Sequence, residues 1–131
     1  MWRQKAGGFM KYSGWDYIEH MIQACREIDI CLQGINSSAE FEESIVVRRA
    51  VTMCLLDLGE LINGLSESDL SPFPSESWHK IVGFRNRAAH GYHSMDFGII
   101  YTLATVRVPE IYNYLKQQQI AQQKTESINF E

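Results

Sequence analysis

The chain has 131 residues, enough for one core and too few for two ordinary domains. It carries 12 Lys and Arg against 16 Asp and Glu, a formal net charge of -4, with 45% apolar and 21% charged residues. Proteins that hold nucleic acid by bulk charge are basic overall, so any anionic ligand here must meet a local patch. The three cysteines, Cys25, Cys31 and Cys54, are odd in number and show no CxxC spacing, which fits free thiols in a reducing cytosol and supplies no zinc cluster. The opening "MWRQKAGGFMKYSGW" lacks the apolar core of a signal peptide, and no run of about 18 apolar residues could span a membrane. A soluble, cytoplasmic protein with no membrane partner is expected.

Residues 1–12 show no period and read as a loose arm of a single 1–131 domain. Ser13 with Asp16 forms a capping-box pattern that opens a first helix. Its face carries Trp15, Ile18, Met21, Ile22, Cys25, Ile28 and Cys31 or Leu32, and it ends near Gly34. Ser37 with Glu40 repeats the pattern. It predicts one long helix with Phe41, Ile45, Val47, Val51, Leu55, Leu58, Leu61, Ile62 and Leu65 on the apolar side, closed by Gly64. The proline- and serine-rich "SESDLSPFPSES" is the main loop. Residues 76–89 return to helix around Trp78, Ile81, Val82 and Phe84, with Gly91 as terminator.

A last helix is predicted from Met95 to Gln119, with Ser94 as N-cap and Asp96 suiting the positive dipole end. Pro109 lies inside it and predicts a kink between Thr105 and Pro109. Residues 120–131 are polar and predicted to fray. No strand period and no repeat is present, so the predicted fold is all-α, an antiparallel up-and-down helical bundle.

The chemistry concentrates in "GFRNRAAHGYHS", residues 83–94. Between Trp78 and Arg107 the basic residues Lys80, Arg85, Arg87 and Arg107 face a single acid, Asp96, with His79, His90 and His93 beside them. Five residues separate Arg85 from His90, roughly 140° on an unbroken helix, so the two share no helical face. A helix ending near His90 would free the imidazole to turn aside and favour its charged form. With Asn86 as donor and acceptor, such a group could hold a phosphodiester while the arginine balances developing charge and the histidine moves a proton. Spacing alone proves little, and it favours Asn86 and Tyr92 simply capping the helix and satisfying the loop. Asp57 and Glu60 read as solvent-facing or paired with a base, and His20 and His79 as solvated.

"RNRAAHGY" resembles the signature of the HEPN superfamily and is most similar to its HepT branch: Arg85, Asn86, His90 and Tyr92 match residue by residue. "WHKIVGFRN", "RRAVTMCLLDLGELINGLS" with its Gly59–Glu60 pair, and "YIEHMIQACREID" resemble the branch's flanking helices. The loop "SPFPSESW" is longer than the usual approach, and His93 has no counterpart role. The resemblance implies a homodimeric, metal-independent RNase toxin that uses no cofactor. Catalysis falls to Arg85, Asn86 and His90, and RNA binding is assigned to Arg87 and Lys80. The implied partner is a MntA-type nucleotidyltransferase antitoxin that attaches AMP to Tyr92. The alternative is a non-catalytic subunit whose basic cleft only docks the nucleotidyltransferase.

Overall fold

The computed structural model describes residues 13–66, 68 and 76–130. The predicted loose arm at 1–12 and most of the proline-rich loop lie outside the described residues. Within them the fold is the expected all-α bundle. Helix α1 (Gly14–Cys31) packs on α3 (Ile45–Ser66), α3 on α4 (Glu76–Ala88), and α6 (Val108–Phe130) on α1 and α4. The short helices α2 (Ser38–Glu43) and α5 (Phe97–Thr102) meet each other.

Helix α1 starts as its sequence dictates. The Ser13 hydroxyl accepts the Asp16 N–H at 3.2 Å, and the Asp16 carboxylate accepts the Ser13 N–H at 3.0 Å. Those bonds, the backbone one foremost, hold the Asp16 carboxyl below its ordinary range. Ile18, Met21, Ile22, Cys25 and Ile28 are buried, whereas Trp15 is only half-buried. The helix turns off at Leu32, and Gly34 follows in the left-handed region at φ 84°, a conformation suited to glycine.

The predicted long second helix is two helices. Ser37 caps α2 by accepting the Glu40 N–H, while the Glu40 carboxylate reaches Asn36 N–H instead of Ser37. At Ser44 the backbone is extended, φ -95° and ψ 102°. Its N–H donates to Phe41 and its hydroxyl accepts the Val47 N–H at 3.2 Å, so one serine ends α2 and starts α3. The break sends Phe41 fully into the core beside Tyr101, ring centroids 5.4 Å apart, and leaves Ile45 exposed against expectation. Nor does Gly64 end the helix. It lies inside α3 because any side chain there would collide with the Tyr17 ring of α1.

The last helix also departs from its predicted form. Its N-cap is Asp96, whose carboxylate accepts the Gly98 N–H at 2.8 Å. Ser94 belongs to a 3-10 turn, Tyr92–Ser94, and donates to the Gly91 carbonyl. Pro109 cannot donate to the carbonyl four residues back. The helix answers with a π turn over Leu103–Arg107, in which the Val108 N–H reaches the Leu103 carbonyl. Beyond Gln119, where the helix was predicted to stop, α6 continues to Phe130, although residues 123–128 are all exposed.

Candidate functional site

Helix α4 is anchored by Ser77, Trp78, Ile81 and Phe84, all buried, with Trp78 edge-on to Tyr114 of α6 at 6.0 Å. This register puts Arg85 against α3. Gly59 of α3 makes the approach possible: a Cβ there would sit 2.7 Å from the Arg85 Cβ. Glu60, the next residue, forms an ion pair with the Arg85 guanidinium. The other guanidinium edge donates to Asn86 Oδ1 at 3.1 Å. Arg85 is thus half-buried, with its planar head held on two sides.

The helix ends at Ala88, a residue earlier than the sequence indicated. The Ala89 N–H still reaches the Arg85 carbonyl and the His90 N–H reaches the Arg87 carbonyl, so His90 stands just off the last turn, exposed. Gly91 is extended at φ 173°, a value open to any residue, so its freedom is not what turns the chain. His90 lines a groove of about 410 Å³ with Arg87, Gly91, Ser94, Met95, Asp96 and Ile99. Arg85, Asn86 and Tyr92 are not part of that lining. The structure therefore joins Arg85 to Asn86 by a hydrogen bond and sets Arg87 with His90 in a groove that Arg85 and Asn86 do not line.

Tyr92 is half-buried. Its ring lies 6.1 Å from Phe97 and 6.2 Å from His93, and the Arg49 guanidinium stacks over it at 4.8 Å. No hydrogen bond to its hydroxyl occurs among the described residues. The Arg48 guanidinium carbon lies over Phe97 at 4.3 Å, and its Nε is buried with no hydrogen-bond partner among the described residues. Arg48 and Arg49 start α3, some forty positions before the motif, and no spacing rule links them to it; the pairing is visible only in three dimensions. Lys80 is exposed on α4, and Arg107 pairs with Glu76 and Glu110, each at 3.7 Å.

Elsewhere the titratable groups are structural. Burial pushes the Cys25 and Cys54 thiols up to about 12, with Cys31 adding to the effect at Cys54, so neither is a thiolate at neutral pH. Burial, reinforced by Glu27, raises the Asp57 carboxyl. Among the described residues no group of three or more His, Cys, Asp or Glu could hold a metal ion. No helix among them is long and apolar enough to cross a membrane.

A protein of Caldanaerobacter subterraneus subsp. tengcongensis named a putative RNase is 27% identical over 101 residues, 77% of this chain and 89% of that one. Two proteins of Methanocaldococcus jannaschii bearing the same description are similar. One is 29% identical over 72 residues (55% of this chain, 66% of that one) and the other 22% over 95 (72% and 75%). No solved structure matches the chain. The family model described as "Ribonuclease HepT-like" matches residues 21–118, from the middle of α1 to α6 and across the whole Arg85–Tyr92 stretch, and the chain belongs to that family.

Proposed function

We propose that this protein is an RNase toxin that cleaves RNA without a metal ion, and that a MntA-type nucleotidyltransferase antitoxin silences it by placing AMP on Tyr92. The observation that carries the reading is the split around the end of α4. An exposed imidazole stands in an open groove, and an arginine one turn earlier has its head oriented by Glu60 and Asn86. The His90 imidazole takes the proton of a ribose 2′-hydroxyl as that oxygen attacks phosphorus. The bond from phosphorus to the 5′-oxygen breaks, the proton passes to that oxygen, and a cyclic phosphate remains. Arg85 offsets the charge on the phosphorane, and Asn86 fixes its plane. Single-stranded RNA is the substrate, because attack must be in line with the leaving oxygen. Arg87 in the groove and Lys80 on the same helix add phosphate contacts.

A homodimer completes the reading. Val46 and Met53, 78% and 66% exposed, lie two turns apart on α3, on the helix that carries Arg49 and Glu60. A second copy covering that stripe would bring the two motifs near the two-fold axis. Tyr92 suits the modification because its hydroxyl is bonded to nothing among the described residues. The guanidinium against its ring is that of Arg49. The test is incubation with a MntA-type nucleotidyltransferase and ATP, followed by mass measurement and an RNase assay. The wild type gains adenylyl mass and loses cleavage, while Tyr92→Phe stays unmodified and active. Modification and silencing of Tyr92→Phe to the same extent would move the switch elsewhere.

A further inference from the structure

Apart from Arg87 in the groove, the arginines around the motif fall into two sets. Arg85 is balanced by Glu60, and Arg107 by Glu76 and Glu110. Arg48 and Arg49 pair with no carboxylate among the described residues. Each instead has its guanidinium carbon over an aromatic ring of the segment that follows His90, Arg48 over Phe97 at 4.3 Å and Arg49 over Tyr92 at 4.8 Å. An acidic chain has abundant carboxylates for surface arginines, and here two successive guanidiniums are held away from them.

A guanidinium stacked on a ring uses its face and keeps its in-plane N–H edges for an acceptor. Those edges match the two oxygens of a phosphodiester. Arg49 is exposed as a residue. Tyr92 is two residues from His90, which places the Arg49 site within a short span of the imidazole. We infer that Arg49, steadied by Tyr92 and flanked by Arg48 on Phe97, is a phosphate-binding subsite for the RNA backbone beside the scissile linkage. It rests on the proposed RNA cleavage, which supplies the strand. Arg48, half-buried and short of a partner at Nε, is the inner support, and Arg49 makes the contact. The base next to that phosphate can stack on the same guanidinium and ring surfaces, as unpaired bases do on arginine and aromatic platforms.

The test uses the full chain and a short single-stranded RNA in two forms: one cleavable, and one with every 2′-hydroxyl methylated so that it binds without being cut. Arg49→Gln weakens binding of the methylated strand by about 10- to 100-fold, the span of a lost charge-assisted bond. It also lowers the slope of log affinity against log salt by about 0.7, one phosphate contact on a single strand. On the cleavable strand it raises KM and leaves kcat within about twofold, the pattern of lost uniform binding. Arg49→Lys keeps the salt slope and loses affinity by less, since it retains charge without the planar head. Unchanged affinity and slope in Arg49→Gln overturn the subsite, as does a fall in kcat with KM unaltered. If the wild type binds the methylated strand through Arg49 and cuts nothing, the cleavage reading fails and the subsite stands. If it cuts and Arg49→Gln is indistinguishable from it, the subsite fails and cleavage stands. A wild type that binds no RNA overturns both.

Discussion

The α1–α3 seam and the turn from Ala89 to Asp96 are built on opposite terms. In the seam, Ile18, Met21, Ile28, Val51, Leu55 and Leu58 are all at most 1% exposed, and the positions of the helices follow from filling that space. In the turn not one residue is fully buried. It is held by the Ser94 bond to Gly91, by the Asp96 cap, and by Arg49 over its Tyr92 ring, with Arg48 over Phe97 just beyond it. Stability therefore resides in one region and the proposed chemistry in the other, and α3 meets the motif where Gly59 and Glu60 touch Arg85.

The largest separation of the two regions should come from His90→Ala. RNA cleavage falls by about 10²- to 10⁴-fold, the usual worth of a positioned acid or base. The thermal midpoint does not move, because the imidazole is exposed. Leu58→Ala does the reverse. Removing a fully buried leucine costs about 2–5 kcal/mol in a urea titration, while cleavage per folded molecule is retained.

Gly59→Ala tests the junction. The new methyl must displace the Arg85 stem, so stability drops by about 1–3 kcal/mol and kcat falls with it. A variant that loses stability but keeps kcat would separate α4 packing from the orientation of Arg85. Smaller still is Ser44→Ala, which removes the N-cap of α3 and costs about 1 kcal/mol by chemical denaturation.

The smallest effect belongs to Asp57. Its carboxyl is raised in the fold by burial first and Glu27 second, so the ionised form is disfavoured there. Stability is lost as pH climbs from the unfolded carboxyl value through the raised folded one. Asp57→Asn is thus slightly more stable than wild type at pH 7, and the gain disappears as pH falls below the ordinary carboxylate range. Thermal melts of the two proteins at pH 7 and pH 3.5 check both the sign and its disappearance.

The seam was legible in the sequence because burial leaves a period: Ile18, Met21, Ile22 and Cys25 mark a face without any knowledge of the partner. Ser13 with Asp16 was equally plain, since a cap is made by residues three apart. Ser44 was not, because the apolar period runs through it unbroken, and a serine in that setting is readable as either a helical residue or a cap. Pro109 announced a disturbance but not its form, as a π turn depends on which carbonyl the next free amide can reach. Gly64 reads as a stop in the sequence because the reason for it, the Tyr17 ring, belongs to another helix.

The same distinction governs the site. Arg85, Asn86, His90 and Tyr92 stand within eight positions and could be read together. Glu60 was open to a basic partner, and Arg85 is that partner. Arg48 and Arg49 carry no local mark and lie outside the basic stretch 78–107 in sequence, although they lie over Phe97 and Tyr92 in space.

The most direct test of the account is the end chemistry of the cleaved RNA in the absence of metal. Purified wild type and His90→Ala are incubated with single-stranded RNA in excess chelator, and the fragments are sized and weighed. The account predicts wild-type fragments ending in a 2′,3′-cyclic phosphate and a 5′-hydroxyl, and intact RNA with His90→Ala. Cleavage that returns only with magnesium, or fragments produced equally by His90→Ala, would contradict it.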